Sequence, residues 1–85
     1  MIHFTLYSRS YCHLCDDMLV HLQAYQSTHQ FDVTVVDVDA DESLVAMYDE
    51  LVPVLVAQRD GAPVQQICHY FLDHDKLKVF LNEST

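Results

Sequence analysis

Ser10-Tyr11-Cys12-His13-Leu14-Cys15-Asp16-Asp17 lies where one hydrophobic period gives way to another. Upstream, Ile2-His3-Phe4-Thr5-Leu6-Tyr7 alternates with a period of two, which predicts a strand with Ile2, Phe4 and Leu6 on one side. Downstream, Leu14, Met18, Leu19, Leu22 and Tyr25 recur at three- and four-residue intervals, which predicts a helix from Cys12 to about Thr28. A strand therefore feeds a Cys-x-x-Cys pair into the first turn of a helix, the setting of a candidate dithiol redox site.

That position has a chemical consequence. The first N–H groups of a helix lack intrahelical acceptors, and the aligned peptide dipoles leave partial positive charge there. A thiolate is stabilised at such an end, so Cys12 is expected to ionise more readily than a free thiol. Cys15 lies on nearly the same helix face, one turn further in. Cys12 can then attack a disulfide, and Cys15 can resolve the mixed disulfide that results. Asp16 and Asp17 favour the helix start but oppose the thiolate. N–H donation acts at contact distance while the carboxylates can point to water, so a modest net lowering of the Cys12 pKa is predicted. His13 is a candidate tuning residue, as a hydrogen-bond donor to the thiolate or as a cation below neutral pH. Its alternative is an exposed helix residue that sets local polarity. Tyr11 is a candidate wall of a substrate groove, or an aromatic that covers the helix start.

Outward from the motif, Phe31 to Val38 is dense in β-branched residues and predicts a second strand. Asp39 and Glu42 match a capping box opening a short helix through about Glu50, with Leu44, Val45, Met47, Tyr48 and Leu51 on its buried side. A calcium loop there is disfavoured by the lack of ligand spacing. Val52 to Ala57 predicts a third strand beginning at a proline, and the Asp60-Gly61 turn leads to a fourth from Val64 to His69. Asp73 is placed to cap a last helix, with Leu72, Leu77, Phe80 and Leu81 as its apolar contacts. Tyr70 and Phe71 are assigned to the core, and Cys68 to a buried strand position. The five histidines other than His13 share no ligand spacing and are assigned as surface or hydrogen-bonded residues. The order β-α-β-α-β-β-α predicts a mixed sheet in one domain over residues 1–85.

Composition narrows the function. The chain is 51% apolar, so it can bury a core, and it contains one glycine and two prolines. Its net charge is −9, with Arg9, Arg59, Lys76 and Lys78 as the fixed cations. That balance argues against nucleic acid and against anionic membrane surfaces. No apolar run reaches a membrane span, no leader pattern is present, and three cysteines do not make a secreted disulfide framework. The expectation is a cytoplasmic monomer with no tightly bound cofactor.

The element order, together with Tyr7-Ser8-Arg9, Cys12-His13-Leu14-Cys15 and Val52-Pro53, resembles the thioredoxin fold. More narrowly it is similar to the glutaredoxins, and among them to small bacterial glutaredoxin-like proteins with Cys-His-Leu-Cys. The resemblance spans nearly the whole chain. It implies an α/β fold, a four-stranded mixed sheet flanked by helices. It implies Cys12 as nucleophile, Cys15 as resolving thiol, a cis bond at Pro53, and the Val52 backbone offered to a substrate. Arg9 stands where glutaredoxins carry a cation for a glutathione carboxylate, and its charge would also favour the Cys12 thiolate. The chain departs from that family in having His13 where a proline is usual and Leu51 where a threonine is usual. Cys68-His69-Tyr70-Phe71 replaces the paired glycines ahead of the last helix.

The implied activity is thiol–disulfide exchange on a disulfide-containing protein or on glutathione, with glutathione or a reductase returning electrons. Two other classes use the same residues. One is a non-catalytic protein-binding module on the same scaffold. The other is a metal module: a zinc site in which Cys68 and His69 would join Cys12 and Cys15, against which consecutive strand residues point to opposite faces, or, as the resemblance to glutaredoxins implies, an iron–sulfur cluster shared between two chains.

Overall fold

Strand β1 (Ile2–Ser8) runs through the middle of the sheet in the computed structural model, which describes residues 2–10, 12–48 and 50–83. It pairs in parallel with β2 (Phe31–Asp37), Ile2 opposite Phe31, and antiparallel with β3 (Val54–Arg59), Tyr7 opposite Val54. β3 pairs antiparallel with β4 (Gln65–His69), with an irregularity between Leu55 and Val56. The sheet order is β2-β1-β3-β4, and the helices are α1 (His13–Ala24), α2 (Glu42–Tyr48) and α3 (His74–Glu83). The predicted order and the mixed sheet are both present.

The alternation in β1 decides which face is buried. Phe4 and Leu6 meet Met18 and Leu22 of α1 and Leu77, Phe80 and Leu81 of α3 in one core, where all seven are at most 3% exposed. Phe4 sets its ring edge-on to Phe31 at 4.8 Å and to Phe80 at 5.8 Å. Each such side chain contributes about 1.5–3 kcal/mol by leaving water, so this face dominates the stability of the fold. On the opposite face Tyr7 stacks on Tyr48 of α2, with ring centres 4.6 Å apart.

Four expectations require correction. β3 begins at Val54 rather than Val52, because the Val52 N–H is already donated to the Tyr48 carbonyl at 3.1 Å and Pro53 has no N–H to give. Helix α2 is opened by Asp41 and not by Asp39. Residues Val38–Ala40 form a 3₁₀ turn in which the Asp37 carboxylate accepts the Asp39 N–H at 2.9 Å, while Asp41 accepts the Ser43 N–H at 2.9 Å. That helix is also shorter and less buried than predicted, with Met47 61% exposed. Finally, Tyr70 and Phe71 leave the core and are 40% and 69% exposed. At φ +65°, Tyr70 turns the chain outward where β4 ends. Asp73 caps α3 as predicted, accepting the Lys76 N–H at 3.0 Å, and Cys68 is buried.

Candidate active site

Three chain segments meet at one end of the sheet because of the strand directions. β1 leaves at Ser8 and leads through Arg9 into α1. β3 is antiparallel to β1, so Val52 and Pro53, which precede it, lie at the same end. His69, the last residue of β4, sits opposite Val54, which brings Tyr70 and Phe71 there too. Tyr70 donates its N–H to the Pro53 carbonyl at 2.9 Å, and its hydroxyl bonds the Glu50 carbonyl at 2.6 Å.

Cys12 is the N-cap of α1, with extended backbone at φ −104° and ψ 104°. Its Sγ accepts the Cys15 N–H at 3.1 Å, the bond that a serine or aspartate oxygen makes at other helix starts. Cys12 and Cys15 are joined in a disulfide, their Cα atoms 5.2 Å apart. Cys15 is 2% exposed whereas Cys12 is half-buried, so a partner can approach Cys12 alone. The two sulfurs thus have the unequal access that an attacking and a resolving thiol need.

The other predicted site residues are placed as follows. His13 is the first residue of α1 and is exposed. Arg9 sends Nε and Nη2 to the Asp39 carboxylate at 3.2 and 2.9 Å, so its planar fork is engaged by a neighbour 30 residues away. The Val52–Pro53 peptide bond is cis, and Pro53 is buried. The Val52 N–H is already donated to the Tyr48 carbonyl. Tyr11 lies outside the described residues.

Two features of the site escaped the sequence. One is Asp39 as the partner of Arg9. The other is a groove of about 230 Å³ beside the motif, lined by Leu14, Asp17, Met18 and His21 of α1 and by Tyr70 and Phe71. With Asp73 assigned as a cap, residues 70–72 had to form the connection between β4 and α3, and that was the available sign of their exposure.

Cys68, elsewhere on β4, is unpaired, and burial pushes its thiol pKa up. Among the described residues, no group of three or more His, Cys, Asp or Glu side chains comes together to hold a metal ion. No helix among them is long and apolar enough to cross a membrane.

Comparison with known proteins agrees with this geometry. A family model described as Glutaredoxin-like domain (DUF836) matches residues 3–82. The solution structure of protein Ne2328 from Nitrosomonas europaea is similar at 35% identity and TM-score 0.81, covering 94% of this chain and 91% of that one. Protein XcR50 from X. campestris is 29% identical with TM-score 0.61, covering 96% and 99%. Oxidised mitochondrial thioredoxin 3 of Saccharomyces cerevisiae shares the fold at 18% identity and TM-score 0.69, covering 96% and 77%. No curated protein matches the chain. A thioredoxin-like α/β fold with its Cys-x-x-Cys pair at bonding distance supports a redox-type role.

Proposed function

We propose, from the premise that this chain belongs to the glutaredoxin-like domain family, that it is a thiol–disulfide oxidoreductase. The observation that carries the reading is the placement of Cys12. Its sulfur caps a helix, receives the Cys15 N–H at 3.1 Å and is the more accessible of two bonded cysteines. A disulfide sulfur is a weak acceptor, but a thiolate is a strong one, so the same geometry stabilises the charged form once the bond is reduced.

In the reduced protein the Cys12 thiolate attacks one sulfur of the substrate disulfide. A Cys12–substrate disulfide forms, and the other substrate sulfur leaves as a thiolate that takes up a proton. The Cys15 thiol then loses its proton and attacks the Cys12 sulfur. The Cys12–Cys15 bond forms, and the second substrate thiolate leaves and is protonated. Two electrons pass from protein to substrate. Glutathione, or the dithiol of a thioredoxin-type reductase, returns them, and no bound cofactor takes part. This chemistry suits a compartment that keeps thiols reduced, the cytoplasm.

The test is redox equilibration against glutathione buffers, with Cys12→Ser and Cys15→Ser followed in parallel. A reversible two-electron transition lost in both variants is expected, with a potential inside the roughly −270 to −120 mV spanned by dithiol proteins. No transition in the wild type, or an unchanged one in Cys15→Ser, overturns the paired mechanism.

A further inference from the structure

At Leu14, between Cys12 and Cys15 in the motif, the molecule keeps apolar surface in water. Leu14 is 38% exposed, Tyr70 40% and Phe71 69%, and the three line one groove with Met18 below them. This rim is held in place, because Tyr70 is tied to the Pro53 carbonyl through its N–H and to the Glu50 carbonyl through its hydroxyl. A binding wall fixed in advance loses little freedom when something settles on it.

Charge says what that something is. Asp17 lines the groove and Asp16 follows Cys15, while the chain as a whole carries −9. Lys76 of α3 does not line this groove but the adjoining depression along β4, which shares Phe71 and Leu72 with it and where Asp73 stands beside the lysine. His21 and His74 also line the groove, with His74 bonded to the Tyr25 hydroxyl at 2.7 Å. Arg9 would be the natural partner of a substrate carboxylate, but Asp39 already engages its fork at 2.9 and 3.2 Å. Glutathione disulfide carries four carboxylates against two ammonium groups at neutral pH, so the acidic chain repels it. Its carboxylates would also have to displace Asp39.

We infer that, granted the exchange chemistry proposed above, the groove selects polypeptide disulfides bearing an apolar side chain next to the attacked cysteine and a lysine or arginine close by, in preference to glutathione disulfide. The apolar side chain lies against Leu14, Tyr70 and Phe71, and the basic one meets Asp17. The Val52 carbonyl accepts one backbone N–H of the same segment.

Single-turnover oxidation of the pre-reduced full-length protein tests this without a reductase. The probes are a short peptide disulfide with leucine and lysine flanking its cysteine, the same peptide with glutamate for lysine, glutathione disulfide, and the small neutral 2-hydroxyethyl disulfide. Rates are divided by those of dithiothreitol with the same probe, which removes intrinsic reactivity. The leucine–lysine peptide should lead glutathione disulfide by about tenfold or more, the scale of one well-placed apolar contact. Phe71→Ser should erase most of that lead, and Asp17→Asn should lower the lysine-over-glutamate ratio by about threefold, as for one exposed ion pair. Equal normalised rates, or ratios unmoved by both substitutions, overturn the inference while the oxidoreductase reading stands. Exchange with none of the four probes, 2-hydroxyethyl disulfide included, removes the oxidoreductase reading and this inference with it.

Discussion

Cys68 and Cys12 are the same residue type on one small domain, yet their surroundings differ. Cys12 sits at a helix start with a donor on its sulfur. Cys68 is buried on β4, and loss of solvent raises its pKa above the ordinary 9.0, with the Asp73 charge adding to the rise and the Asp73 N–H and Lys76 opposing it. As pH rises, the unfolded chain therefore ionises at this position first. The stability tied to the Cys68 proton is whole below the unfolded value and is lost as pH climbs through the folded one. Urea unfolding of the disulfide form, in which Cys12 and Cys15 do not titrate, should lose stability more steeply between about pH 8 and about pH 10 in wild type than in Cys68→Ala. Parallel alkaline limbs in the two proteins would contradict a buried, protonated thiol. The Cys12–Cys15 pair was legible because it rests on local facts, a change of period and a three-residue spacing. The Arg9–Asp39 pair was not, since it spans 30 residues and depends on β1 lying parallel to β2.

At the scale of elements, period located the helices and strands, whereas the ends were decided by individual hydrogen bonds. Helix α2 shows this well. Asp39 and Asp41 both precede it in an acidic run, and composition cannot choose between two aspartates two residues apart. The choice falls to Asp41 because the turn at Val38–Ala40 uses Asp39 otherwise. The Asp41 carboxylate has a lowered pKa, chiefly from the Ser43 hydroxyl and next from the Ser43 N–H. Its contribution is therefore present above the ordinary 3.8 and is lost as pH falls through the folded value. Asp41→Ala should speed amide hydrogen exchange at Ser43, while Asp39→Ala should leave that amide protected. The reverse pattern would restore Asp39 as the cap. The same limit explains Tyr70 and Phe71. Aromatic residues ending a strand read as core by type, and nothing in their composition reports a backbone at φ +65° that turns them out of it.

For the whole molecule, the acidity that composition showed at once becomes an energetic statement when set against size. The chain measures 36 × 26 × 18 Å and carries a net charge of −9. At about 10 mM ionic strength the screening length is about 30 Å, so nearly every carboxylate feels every other; at about 150 mM it is about 8 Å, and only near neighbours interact. Unfolding separates these charges, so repulsion at low salt favours the unfolded chain. Screening also weakens the attraction of Arg9 for Asp39, but both side chains are more than a third exposed, and such a pair contributes at most about 1 kcal/mol. The repulsion is shared among many more groups, so the two effects do not cancel. Thermal unfolding should therefore move to higher temperature as sodium chloride is raised from about 10 to about 150 mM, and each kcal/mol relieved is worth about 4–8 °C in a domain of this size. Because chloride is a weak structuring salt, the gain should flatten once screening is complete, whereas sulfate should keep adding stability by exclusion from the surface. A Tm that falls with sodium chloride would mean that attractive pairs, not net repulsion, govern the charge energetics of the fold.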